Sequence, residues 1–326
     1  MRSRALAIIV GVILSTSFGG VATADNYPSR PIRLLVTTGA GGAGDLVARA
    51  LADRLAQNVG QSVTVENNPS ANGGIVAGQV ARAAPDGYTL SVMVDSTLTS
   101  NPHLYKNLSY DAAKDFEPIG IVSKLPLVLV ANRELKANDV RGLIELAKAA
   151  PGKLTYASTG IGTQLHIGME LLKLRAGIDL LHVPYRTTTS AMADVMGGRI
   201  DMIMVGQSSA KAQADVPQLK LLGIAAPERS PLLPQVPTIS EAAGMQGYEV
   251  TSYFVLLAPA KTPKEIVARL SQELKRVASD PRFIAALQPQ GMDIIASSPE
   301  EMRAVMAETS KKWGDVIRAT GTTINQ

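Results

Sequence analysis

Residues 37–45, Thr37-Thr38-Gly39-Ala40-Gly41-Gly42-Ala43-Gly44-Asp45, set glycines and hydroxyls between an apolar run and a stretch of helical spacing. Glycines let a ligand approach the backbone, and free N–H groups with the helix dipole favour an anion there. A phosphate or a carboxylate would suit such a site. Gly39, Gly41 and Gly44 spell G-x-G-x-x-G, and Glu66 follows Gly44 by 22 residues at a strand end. That is the spacing of a dinucleotide-binding loop. The same glycines can also serve only a tight turn. A second stretch, Ser158-Thr159-Gly160-Ile161-Gly162-Thr163, likewise runs from an expected strand into an expected helix. Hydroxyls and unpaired N–H groups would again converge at a helix start. Two anion-accepting helix starts suit a ligand clamped across a cleft, and a dicarboxylate would use both. Thr163 reads equally well as a plain helix cap, and Asp45 as an acid stabilising a first helical turn.

The remaining chemistry-bearing residues favour packing roles. His166 stands among Leu165, Ile167 and Met169, as a core histidine would. No metal-like spacing links it to His103 and His182, so no metal and no cofactor are expected. Met202, Met204 and Trp313 read as core. Neither G-x-S-x-G nor H-E-x-x-H occurs, and no nucleophile–base pair stands out, which argues against hydrolysis. There is no cysteine at all, which removes disulfides, thiolate nucleophiles and cysteine metal sites together.

The elements that must carry these loops alternate between strand and helix, as in an α/β fold with mainly parallel strands. Strands are expected at 32–36, 62–66 and 89–94, with helices at 46–58 and 75–84 between them. Further on, helices are expected at 140–149, 163–176 and 190–196, and strands at 154–158, 180–184, 200–205 and 219–225. A long strand is expected at 248–257, then amphipathic helices at 263–278, 281–287 and 299–319. Segments near 126–131 and 248–257 read as crossings between two lobes. The expected division is 25–125 with 249–326 as lobe 1 and 126–248 as lobe 2, a hinge topology with its ligand site in the cleft.

Residues 1–24 read as a cleavable export signal: Arg2 and Arg4, an apolar stretch from Ala5 to Phe18, then Ala22-Thr23-Ala24 with cleavage after Ala24. Without it, 30 basic residues face 28 acidic ones, a balance of +2. No basic run interleaved with aromatics appears, so nucleic acid is not an expected partner. An exported chain also argues against a nicotinamide cofactor, although an exported dinucleotide-dependent oxidoreductase using Gly39, Gly41 and Gly44 stays as the competing reading.

Motifs along the whole exported part point to one family. Tyr27-Pro28-Ser29-Arg30-Pro31-Ile32-Arg33, Gly41-Gly42 with Asp45, and Val65-Glu66-Asn67 come first. Ala84-Pro85-Asp86-Gly87-Tyr88-Thr89-Leu90, Asn101-Pro102 with Leu104-Tyr105, Tyr110-Asp111 and Lys114-Asp115-Phe116 follow. Pro151-Gly152-Lys153-Leu154, His182-Val183-Pro184-Tyr185, and Leu233-Pro234 with Val236-Pro237-Thr238 complete the set. Together, in this order, they resemble the solute-binding receptors of the tripartite tricarboxylate transporters, the Bug-type proteins. The resemblance implies a two-lobed periplasmic binding protein of type II and no enzymatic activity. It implies capture of a small organic acid, mono- or dicarboxylate and including aromatic ones, for membrane permease subunits or a sensor protein. It also implies a monomer in the periplasm, binding through backbone N–H groups and water. Carried over, the binding residues are Gly41, Gly42 and Asp45, with Ser158, Gly160, Gly162 and Thr163. Thr37, Thr38, Thr159, Tyr185, Arg186 and Thr187 are added as neighbours in the same loops. The sequence departs from the family where it has Thr37-Thr38-Gly39-Ala40 in place of an aromatic residue and prolines. It departs again at Arg186-Thr187, where Lys-Gly is usual. A site altered in size or polarity is therefore expected, and Arg186 reads either as a bidentate partner for a second carboxylate or as an exposed lobe-surface arginine.

Overall fold

The structure is a computed structural model and describes residues 27–324. The expected export signal and its cleavage site lie outside the described residues. The chain opens with β1 (Ile32–Val36), α1 (Ala43–Val59), β2 (Val63–Asn67), α2 (Gly74–Ala81) and β3 (Thr89–Val94). Two single-turn helices follow, α3 (Ser96–Thr99) and α4 (Asn101–Leu104), and then the 17-residue strand β4 (Phe116–Asn132). Next come α5 (Val140–Ala149), β5 (Thr155–Ser158), α6 (Gln164–Ala176), β6 (Leu181–Pro184) and α7 (Thr188–Met196). β7 (Met202–Gly206), α8 (Gln207–Ala212), β8 (Leu219–Ile224) and α9 (Ile239–Ala243) continue the chain. It closes with β9 (Thr251–Pro259), α10 (Lys264–Ala278), α11 (Pro281–Leu287), β10 (Asp293–Ile294) and α12 (Pro299–Thr320).

Among the described residues the strands form one curled sheet in the order β2-β1-β3-β9-β4-β7-β5-β6, with β8 and β10 also paired to β4. β2, β1 and β3 are parallel to one another, as are β6, β5 and β7. The two central strands, β9 and β4, run antiparallel to their neighbours. β4 joins the two halves. Through Pro126 it pairs with β9, and from Leu127 onward with β7 and β8. Its first part tolerates Pro118 and Gly120 because the register slips there and again between Ile121 and Ser123. Those interruptions hide the strand from a pattern search, which finds only its second, apolar part.

Local chemistry accounts for the element ends. β1 is buried at every position except Arg33, as a strand covered on both faces should be. α5, α9, α11 and α12 begin with Asp139, Thr238, Asp280 and Ser298, whose side chains accept from the first-turn backbone. α9 and α12 complete the capping box with Glu241 and Glu301. α1 and α6 end on left-handed Gly60 and Gly177. α12 spans the halves. Met302 and Met306 pack with Leu35, Val76 and Phe116 of the first half, while Trp313, Val316 and Ile317 pack with Met169, Leu172 and Tyr248 of the second.

Candidate functional site

In each half the C-terminal ends of the parallel strands lead into loops that meet at the junction. The first loop runs from Thr37 to Gly42 between β1 and α1, and its glycines are used individually. Gly41 adopts φ +77°, open to glycine without strain. A Cβ on Gly44 would lie 2.6 Å from Thr38 Oγ1, so this residue must be small for α1 to close on the loop. Gly42 precedes α1 with no side-chain cap, and the first-turn amides of Ala43, Gly44 and Asp45 have no intrahelical partner. Thr37 Oγ1 accepts from the Val94 amide, whereas the buried Thr38 Oγ1 has no hydrogen-bond partner.

Asp45 turns inward and holds this loop. Its buried carboxylate accepts from the Gly41 amide at 2.8 Å, Asn67 Nδ2 at 3.0 Å and Arg49 Nε at 3.0 Å. Asn67 also donates to the Thr38 carbonyl at 3.0 Å. Burial works against ionisation, but the hydrogen bonds from Arg49, Gly41 and Asn67 outweigh it and hold the carboxyl below its ordinary pKa. Glu66, the acid that a dinucleotide reading needs, is paired through both oxygens with Arg33 at 2.8 Å on the exposed side of the sheet.

The second loop, between β5 and α6, is pinned from below. Ser158 Oγ lies 2.7 Å from His182 Nε2 and accepts from the Gly160 amide at 3.1 Å. His182 stacks on Tyr156 with centroids 4.9 Å apart, and His166 lies 4.4 Å from His182. Desolvation lowers both imidazoles, His182 to about 4 and His166 to about 3, so both are neutral near pH 7. The Tyr156 hydroxyl donates to Glu170 at 2.6 Å, and Glu170 pairs with Lys173. Thr163 takes the N-cap position of α6, but its hydroxyl donates back to the Gly160 carbonyl at 2.8 Å and caps nothing. α6 thus starts uncapped, like α1.

The second loop touches the first half directly. A Cβ on Gly162 would lie 2.5 Å from Leu104 Cδ1 and 3.5 Å from Asn72 Nδ2. Asn72 is tied to Asn101 at 2.9 Å and accepts from Ser96 at 3.2 Å. Gln164 Nε2 donates to Asp95 Oδ2 at 2.6 Å. Asp95 follows β3 as Thr37 follows β1, and it also accepts from the Tyr253 amide. Burial drives its carboxyl up to about 7.

Thr37, Thr38, Gly41, Gly42 and Asp45 are therefore gathered in one loop, and Ser158, Thr159, Gly160, Gly162 and Thr163 in another that abuts the first half. Tyr185, Arg186 and Thr187 adjoin the second loop, since the Tyr185 amide donates to the Ser158 carbonyl at 2.8 Å. The Tyr185 hydroxyl bonds Asp194, and Thr187 caps α7 through Ser190; Arg186 is exposed. Asp95, Gln164 and Asn72 went unnoticed in the sequence. The rule that ligands gather at the carboxyl ends of parallel strands would have flagged Asp95, which begins the loop after β3. A hollow of about 520 Å³ lies at the opposite end of the second half, beside Asn132, Leu135, Met196 and Asp201. Two of its polar side chains are committed, Asp201 to Thr155 and Asn132 to the Val195 carbonyl. Among the described residues no group of three or more His, Asp or Glu side chains is placed to hold a metal. No described helix is long and apolar enough to cross a membrane.

Residues 47–322 match the model of the tripartite tricarboxylate transporter family receptor. Among solved structures, the periplasmic binding protein BugD is 32% identical with a TM-score of 0.82, covering 91% of this chain and 100% of its own. Rpa4515 of R. palustris, solved with adipate, is 29% identical with a TM-score of 0.84, covering 91% and 100%. MatC of Rhodopseudomonas palustris, solved with bound malate, is 29% identical with a TM-score of 0.81, covering 89% and 100%.

Proposed function

This chain belongs to the tripartite tricarboxylate transporter family of receptors, and from that premise we propose that it is a periplasmic receptor for a small carboxylate. The ligand is captured between the two halves and handed to membrane permease subunits, or read by a sensor protein, with no chemical step. The observation that carries this reading is the pair of uncapped helix starts, α1 and α6, one per half, with the α6 loop set against Asn72 and Leu104 of the first half. Each offers N–H groups and the positive end of a helix dipole to an anion. The likeness to structures holding adipate and malate supports a dicarboxylate that uses both.

In this reading Thr38, Gly42 and the first turn of α1 hold one carboxylate. Thr159, Gly160, Gly162 and Thr163 face it from the second half. Thr37 and Asp45 act by holding the first loop, and Ser158 by holding the second. Tyr185 and Thr187 shape the rim where the exposed Arg186 meets a distal carboxylate. The unpartnered hydroxyl of Thr38, in place of an aromatic wall, supports a more polar site. The expected division, 25–125 with 249–326 as one lobe and 126–248 as the other, is supported within the described residues by the change of β4 partners after Pro126. Closure is favoured only by the ligand's greater affinity for the closed form, and the closed monomer is what the permease recognises.

The test is a thermal-shift screen against aliphatic and aromatic mono-, di- and tricarboxylates, amino acids and NAD(P). Malate or adipate at ~100 times its dissociation constant would stabilise the fold by about 2.7 kcal/mol. A raised Tm with one acid class is the expected result. A shift with nucleotide alone would overturn the reading.

A further inference from the structure

Two lobe-crossing hydrogen bonds stand apart from the ligand loops. Gln164, the first residue of α6, donates to Asp95 Oδ2 in the first half at 2.6 Å. Gln207, the first residue of α8, donates to the Gly291 carbonyl, also across the junction. Both glutamines are buried, 2% and 3% exposed, and in both the carboxamide oxygen has no partner. Two chain-distant elements thus reach across in the same way, each leaving half of its hydrogen-bonding capacity unused. In an opened molecule water would satisfy both oxygens. A hydrogen bond to the Asp95 carboxyl is gained on closure while a polar atom is stranded, and these are effects of similar size. A contact so balanced holds the halves together without locking them.

We propose that the side chains of Asp95 and Gln164 form an interlobe latch that sets the balance between open and closed forms, and so the dwell time of the ligand, neither side chain touching it. They are positioning residues for the receptor function and rest on that reading. Asp95 is anchored on its own side by the Tyr253 amide of β9, a strand at the junction. The latch therefore ties α6, which carries the second ligand loop, to the junction itself. Lys312 of α12 and Tyr253 of β9 are the titratable side chains that interact electrostatically with Asp95. Lys312 is held by the Glu249 carbonyl at 2.7 Å.

The absence of cysteine makes the test clean. Spin labels at Gln57→Cys and Lys148→Cys, both exposed positions, report the distance between the halves in the full ligand-free chain. Gln164→Ala should lengthen that distance and accelerate malate or adipate dissociation on the order of tenfold, as loss of one buried hydrogen bond predicts. Association should change little. Asp95→Asn, which keeps an acceptor for Tyr253 and a partner for Gln164, should stay near the parent. Gln164→Glu places two carboxyls together, which share a proton at low pH and repel when both ionise. It should be closed at pH 5 and open at pH 8, a behaviour that damaged folding would not produce. Unchanged distances in both Gln164 variants would overturn the latch, as would opening in Asp95→Asn equal to that in Gln164→Ala. The distances need no ligand, so a chain that ignores every carboxylate defeats the receptor reading while this result still decides the latch.

Discussion

At the scale of single residues, the buried carboxylate of Asp45 shapes the first loop by accepting from Gly41, Asn67 and Arg49. Removing it leaves the Gly41 amide and the Asn67 amide short of an acceptor. Asp45→Ala should therefore cost about 1–3 kcal/mol of stability, read by urea unfolding, and weaken malate or adipate binding as the loop loosens. Asp45→Asn keeps one acceptor and should fall between that variant and the parent. An Asp45→Ala chain as stable as the parent would show that the carboxylate does not hold the loop.

At the scale of elements, the β1–α1 connection works because α1 can press against the loop. Gly44→Ala would put a Cβ 2.6 Å from Thr38 Oγ1 and 3.4 Å from Phe254. Overpacking of this kind costs about 1–3 kcal/mol, and a second change, Thr38→Ala, should recover most of it. Equal denaturation midpoints for Gly44→Ala and the parent would contradict this account of the glycine. The same loop shows how far the sequence carries. Its place after a buried strand and before a periodic helix was readable, because Ile32–Val36 has the continuous apolar pattern of a covered strand. That Asp45 turns inward was not readable, because an acid at a helix start serves the dipole, a loop amide or a ligand with the same residue type. The first part of β4 escaped because its bulges break the period at Pro118 and Gly120. α3 and α4 escaped because single turns carry too little periodicity to register. Asp95 and Gln164 stand 69 positions apart, and only the folded junction makes them neighbours.

At the scale of the whole molecule, buried titratable groups on both sides of the junction tie stability to pH with opposite signs. His166 and His182 have folded pKa values near 3 and 4, below the ordinary value of 6.5. The unfolded chain binds more protons between those values, so their contribution is fully present above pH 6.5 and is lost as pH falls. Asp95 is raised from 3.8 to about 7, so it favours the folded chain at low pH and loses that contribution as pH rises through this window. Two histidines outweigh one acid, and stability should climb from pH 4 to 6.5. Asp95→Asn removes the opposing slope, so urea midpoints should climb more steeply across that range. A flatter profile in Asp95→Asn would contradict the assignment. The central claim is that one carboxylated ligand meets both uncapped helix starts. The most direct measurement is an amide NMR titration of the isotope-labelled chain with malate and adipate. The largest shifts are predicted at Ala43, Gly44 and Asp45 together with Gly160, Gly162 and Gln164, saturating along a single curve. Shifts confined to one loop, or centred on the hollow beside Asn132 and Asp201, would contradict it.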